Sequence, residues 1–118
     1  MKYMLLIYDP ADGYDGPDGA ALLDQVVAGH MALADELRRT GVMLNGAGLQ
    51  GPETATTILR GGDGRVAVLD GPFAETKEVL GGYYVVEVAD LEAAHAIAQR
   101  IPGAPGTKVE VRPLMPHD

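Results

Sequence analysis

Two residues in this chain could carry out acid/base chemistry together: His30 and Asp70. An imidazole has a reference pKa of about 6.5, so a histidine exchanges protons readily near neutral pH. A carboxylate beside it can orient the ring and stabilise its protonated form. We therefore predict His30 as a general base, and Asp70 as its orienting partner or as a second acid.

Both residues also have a purely structural interpretation, which the sequence leaves open. His30 lies in line with the apolar positions of a predicted helix, where a single histidine is commonly a structural residue. Asp70 ends a predicted strand and precedes Gly-Pro. Its carboxylate could instead cap the amides of Phe73 or Ala74, with the proline starting a helical turn.

Four further residues are predicted to contact a substrate. Tyr8 and Tyr83 could donate hydrogen bonds to a developing oxyanion. Lys77 could meet an acidic substrate at the pocket mouth, or it could pair with a neighbouring glutamate in a solvated turn. Phe73, the chain's single phenylalanine, could anchor its loop in the core or form a pocket wall.

The sequence predicts neither a metal nor an organic cofactor. The three histidines, His30, His95 and His117, are dispersed and lack the HxH or HxxE spacing of a metal site. The glycines of "LNGAGLQGP" do not open a helix after a strand, so dinucleotide binding is unsupported. They are more typical of a bulge or a close backbone approach.

Composition excludes several partners. A net charge of −8 with scattered Lys and Arg argues against direct nucleic-acid binding, which needs a basic face. The chain has no cysteine, so disulfide and thiolate chemistry are excluded. The opening apolar run is too short to cross a bilayer and lacks a cleavage site for secretion. We therefore expect a cytoplasmic protein without a membrane contact.

The elements that position the candidate residues follow from the apolar pattern. Asp18 and Asp90 are expected to cap two helices, and Gly41 to end the first just after two arginines. Gly29, inside the first helix, indicates close packing. That helix has an apolar stripe of Leu23, Val26, Val27, Leu33, Ala34 and Leu37. Strands are predicted at 2–8, 42–49, 54–59, 65–70, 83–88 and in the closing "TKVEVRP".

This order, β-α-β-(hairpin)-β-α-β, predicts a single α+β domain over residues 1–118. Its plan is ferredoxin-like, an antiparallel sheet with two helices on one face. The strands at 2–8 and 83–88 are apolar on both faces. The uncovered face would expose more apolar surface than a monomer usually tolerates. We therefore predict a homodimer that packs sheet against sheet.

The stretch "DGPFAETKEVLGGYYVVEVADLEAA", with the "MKYMLLIY" opening, "ELRRTGV" and the closing "VEVRP", resembles the DGPF branch of the YCII-related (YciI-like) family. The resemblance runs nearly end to end. It implies a dimeric α/β barrel of ferredoxin-like subunits whose role is mostly unassigned. Related barrels include cofactor-free isomerases and monooxygenases, and a YCII-type relative removes chloride from a chlorinated hydroquinone.

The resemblance also bears on the site. A His/Asp pair has been proposed for the family, and His30 matches its histidine, eleven residues before Gly41. Asp70 is the aspartate of the DGPF branch, and its equivalence to the aspartate of other YCII proteins stays open. DGPF genes often lie beside genes for alternative sigma factors, which implies a regulatory setting.

Two functions remain open from sequence. One is a cofactor-free acid/base enzyme, of isomerase or lyase type, acting on a small aromatic or enolisable compound. The other is a non-catalytic sensor or protein-interaction module. The enzyme requires a water-accessible cavity in which His30 faces Asp70. A filled core around His30 would favour the module.

Overall fold

The computed structural model describes residues 1–116, so the predicted tail residue His117 lies outside the described residues. Within these described residues, six strands, two α-helices and one 3-10 helix follow one another. They are β1 (Lys2–Pro10), α1 (Gly19–Arg39), β2 (Met43–Gly48), η1 (Pro52–Thr54), β3 (Thr56–Arg60), β4 (Val66–Asp70), β5 (Glu78–Glu87), α2 (Leu91–Ala98) and β6 (Lys108–Pro113).

The main sheet has four antiparallel strands in the order β2-β5-β1-β6. This is the ferredoxin-like arrangement that the element order predicted. Strand β5 is longer than predicted and begins at Glu78 rather than Tyr83. The extension pairs Glu78 and Val79 with the end of β1, so it lengthens the central strand pair beside α1.

The core lies between one face of this sheet and both helices. Alternate residues of β1 and β5 point into it, which is the two-residue period of a strand. The contributing side chains come from β1 (Tyr3, Leu5, Ile7), α1 (Leu33, Ala34, Leu37), β2 (Met43), β5 (Tyr84, Val86) and α2 (Ala94, Ile97). Both helices therefore cover the same face, as expected.

The helix ends follow the predicted cap positions. Asp90 caps α2, and its Oδ1 accepts a hydrogen bond of 2.9 Å from the Ala93 amide. Asp18 occupies the N-cap of α1 but makes no side-chain cap bond. Gly41 follows α1 with φ +75°, a conformation that favours glycine. At Gly29 a side chain would press against Pro102, which explains the glycine predicted to mark close packing.

Strands β3 and β4 form a separate two-stranded sheet. Nine of its ten residues are exposed, with Thr57 half-buried. The turn after β4 is tied to β3, because the Gly71 amide donates to Ala55 (2.7 Å) and the Thr57 hydroxyl donates to the Gly71 carbonyl (2.8 Å). Gly71 itself has φ +95°, a backbone conformation that favours glycine.

Candidate active site

A cleft of about 710 Å³ opens between α1 and the helix-covered face of the sheet. The end of β1, one face of α1, β2 with the loop into η1, and the start of β5 surround it. Its wall is mainly apolar, with a few polar side chains among the aliphatic ones. This combination is typical of small-molecule sites.

Helix α1 presents two adjacent rows of side chains to the cleft, one that contains His30 and one that contains Val27. Val26, His30, Ala34 and Arg38 line it at steps of four residues, the spacing that places residues on one helical face. Leu23 and Val27 belong to the predicted apolar stripe, but they are 43% and 47% exposed. Both side chains line the cleft, which explains their exposure.

His30 is held in the cleft by Tyr84 of β5. Its Nδ1 lies 2.8 Å from the Tyr84 hydroxyl, and that hydroxyl lies 3.5 Å from the backbone carbonyl oxygen of His30. Burial lowers the pKa of His30 below its usual 6.5, and the negative charge of Asp9 partly opposes this shift. Burial therefore favours the neutral form of the His30 ring.

Asp9, at the end of β1, lines the same cleft as His30, and its negative charge acts on the imidazole. Burial raises the pKa of Asp9 above its usual 3.8, while His30 and a 3.5 Å hydrogen bond from the Thr107 hydroxyl act in the opposite direction. Tyr14 lines the same cleft, and burial together with the Asp9 charge raises the pKa of its phenol. Asp9 thus sits among polar groups at one end of the cleft.

The Gly-Gly pair of β5 makes room for Asp9. The register between β1 and β5 shifts after Ile7, so that Ile7 faces Gly82 and Tyr8 faces Leu80. Gly81 is the extra residue in this bulge. A side chain at Gly81 would overlap the Asp9 carboxylate, and one at Gly82 would press on the Ala47 carbonyl of β2.

Of the predicted site residues, His30 alone lines this cleft. Asp70 ends β4 in the separate hairpin and is exposed. Within the chain, the carboxylate whose charge acts on His30 is that of Asp9, whereas Asp70 does not line this cleft. Among residues 1–116 no amide donates to the Asp70 side chain, so the predicted cap is absent too.

The predicted contact residues lie elsewhere. Tyr8 and Tyr83 point to the sheet face opposite the helices, where the Tyr8 hydroxyl lies 3.5 Å from Glu110. Phe73 is 76% exposed and is not anchored in the core. Lys77 is exposed outside the cleft, and the ion pair of Glu78 is instead made by Lys108 at 2.7 Å.

The sequence did not single out Asp9 or Tyr84. The first predicted strand ends at Tyr8, one residue before Asp9, although Asp9 belongs to β1 and shares a strand face with Ile7. Tyr83 was predicted as a site residue and Tyr84 was not. Because β5 is apolar on both faces, the sequence does not show which of the two tyrosines faces the helices. The buried residues of β5 are Gly82, Tyr84 and Val86, at steps of two. This alternation places Tyr84 on the helix-covered face and Tyr83 on the opposite face.

The family comparison agrees with this fold. The model of the YCII-related domain matches residues 1–118. The chain belongs to the YCII-related family. An uncharacterised relative, protein R00369 of Rhizobium meliloti (strain 1021), is 48% identical over 65 residues, which are 53% of this chain and 52% of the relative. The chain thus matches about half the length of this curated relative.

Two further features describe this YCII-related protein. Within residues 1–116, no group of three or more His, Asp or Glu side chains is placed to hold a metal ion. Across the same residues, neither helix has the length and apolar character needed to span a bilayer.

Proposed function

We propose that the protein is a cofactor-free acid/base enzyme, of isomerase or lyase type, that acts on a small, largely apolar, enolisable or aromatic compound. One observation carries this proposal: His30 lines an open cleft, where its ring is hydrogen-bonded to Tyr84 and the charge of the Asp9 carboxylate in the same wall acts on it. His30 is the base, Asp9 its carboxylate partner and Tyr84 the residue that orients it.

The two contacts of Tyr84 support a base role. The Nδ1–H of His30 can donate to the Tyr84 oxygen, while the Tyr84 hydroxyl hydrogen is directed at the His30 carbonyl. In that tautomer the Nε2 lone pair is free to accept a proton from the substrate. The resulting imidazolium keeps its bond to Tyr84, and the Asp9 charge stabilises it before the proton is returned.

The open cleft also favours an enzyme over an interaction module. A filled core around His30 would have supported the module, but this side chain borders a cavity large enough for a small molecule. The other requirement, a carboxylate facing the histidine, is supplied in this proposal by Asp9 instead of Asp70.

We further propose that the chain forms a homodimer, completing an α/β barrel through the uncovered sheet face. The centre of that face is apolar, since Met4 and Leu6 of β1 pair with Val85 and Tyr83 of β5. Each of these side chains is only half-buried in the single chain. A second copy would remove this surface from water.

Solvent deuterium exchange tests the enzyme proposal. A panel of small enolisable ketones, keto acids and phenols is incubated with the protein in D₂O, and deuterium uptake at carbon is followed by NMR. We expect exchange of at least one compound to fall by about 10²-fold or more in His30→Gln. His95→Gln, which changes an exposed histidine of α2, is the matched control. Equal rates in wild type and His30→Gln would contradict the proposal, and a ligand that binds without exchange would favour the sensor.

A further inference from the structure

The residue that stands out beyond the acid/base group is Arg38. Helix α1 ends in two consecutive arginines with different surroundings. Arg39 forms an ion pair with Asp35 at 3.1 Å. Arg38 lines the cleft, and among residues 1–116 no carboxylate lies within 4 Å of its guanidinium. One arginine is thus committed to the helix surface, and the other is available to a molecule in the cleft.

Arg38 lies at the opposite end of the cleft from Asp9. It follows His30 by eight residues, or about 12 Å along the helix axis. On the sheet, Asp9 pairs with Val79 and Leu5 pairs with Tyr84, so Asp9 and Tyr84 are separated along the strands by about 13 Å. The charge of Arg38 acts on the Tyr84 hydroxyl, whereas that of Asp9 acts on His30.

The rest of the cleft wall is largely aliphatic. Leu23, Val27, Met31, Leu49 and Leu80 line the cleft with their side chains partly in solvent. A fully polar ligand would leave these groups without complementary contacts. A molecule with an apolar body fits these side chains. If it also has a negatively charged group, that group must lie away from Asp9 and Glu53, the two acidic side chains of the wall.

We propose that the cleft binds a small aromatic or short aliphatic carboxylate, whose carboxylate group is held by Arg38 while its apolar body places the reacting carbon at His30. The inference rests on the proposed function for the role of the reacting end, but binding by Arg38 can be measured alone. A guanidinium provides parallel N–H donors matched to a carboxylate. In this proposal Arg38, and not the predicted Lys77, binds the acidic group of the substrate.

A helix-terminal cation also has a structural explanation, because it interacts favourably with the carbonyls of the last turn. Arg39 occupies the same last turn but does not line the cleft. Replacing either arginine removes a cation from this helix end, and only one replacement changes the cleft. The two substitutions therefore separate a ligand role from a stabilising role.

The test measures binding of benzoate and phenylacetate, each beside its uncharged amide, by NMR shift titration of the full chain. We expect saturable binding of the acids, weaker binding of the amides, and at least about a tenfold loss of acid affinity in Arg38→Met. Arg39→Met should stay within about twofold of wild type. His30→Gln should still bind the acids, so this result does not depend on catalysis.

Three results would overturn the inference: no saturable binding of either acid by the wild type, equal affinity for acids and amides, or the same affinity in Arg38→Met and Arg39→Met. Failure of the proposed function would appear differently. Acid binding would still depend on Arg38, while deuterium exchange would be absent or would persist in His30→Gln.

Discussion

At the level of single residues, the site depends on which of two adjacent tyrosines, Tyr83 or Tyr84, faces the helices. Tyr84 reaches His30, whereas Tyr83 lies on the far side of the sheet. His30 could be predicted from its place on α1. Its partners could not, because hydrogen bonds between distant segments depend on strand register, and the bulge at Gly81 leaves no clear mark in the apolar pattern.

We expect the stability of the folded chain to depend on pH through His30. Because the pKa of His30 is lower in the folded chain than its usual 6.5, the unfolded chain binds more protons on acidification. The His30 contribution is thus complete above pH 6.5 and is lost as pH falls through the lowered folded pKa. In urea unfolding between pH 7.5 and 5, we expect wild type to lose more stability than His30→Gln. Parallel curves would show that His30 titrates as an exposed histidine does.

At the scale of elements, the glycines of β5 do two different things. Gly81 leaves space for the Asp9 side chain, and Gly82 allows β2 to approach at the Ala47 carbonyl. The strand itself was predictable, but its five additional residues at the N-terminal end were not. They contain Glu78 and two glycines and so lack a continuous apolar signal.

A pair of alanine substitutions distinguishes these roles. In Gly81→Ala the overlapping group is the end of a side chain, which can rotate away, so we expect a loss of about 1 kcal/mol or less. In Gly82→Ala the overlapping group is backbone, which cannot move without shifting β2, so about 2 kcal/mol or more should be lost. Chemical denaturation of both variants measures the difference, and a more destabilised Gly81→Ala would contradict this assignment.

At the scale of the whole molecule, the single chain is flatter and wider than its length implies. Its extents are 46 × 45 × 20 Å and its radius of gyration is 16.2 Å, against about 13.5 Å expected for a compact domain of this length. The β3–β4 hairpin is a two-stranded sheet with exposed apolar side chains, among them Ile58 and Val68. Isolated hairpins of this kind are marginally stable in water, which supports the proposed dimer.

The dimer prediction is tested by light scattering after size exclusion. We expect a wild-type mass of about twice the 12.4 kDa of the chain. Leu6→Glu places a charge at the centre of the uncovered sheet face and should shift the protein to monomer. Met31→Glu, at an exposed position of the cleft, should leave the dimer intact. A folded wild-type monomer at micromolar concentration would remove the prediction, and circular dichroism verifies that each variant is folded.

The proposed site requires the Asp9 charge to act on His30, and NMR titration of the His30 ring in wild type and Asp9→Asn measures that effect. Burial lowers the pKa of His30 and the Asp9 charge raises it, so removing that charge should lower the pKa further. We predict a His30 midpoint below 6.5 in wild type and a lower one in Asp9→Asn, with Asp70→Asn unchanged from wild type. A His30 midpoint that moves in Asp70→Asn and not in Asp9→Asn would show that Asp70, and not Asp9, acts on the His30 ring.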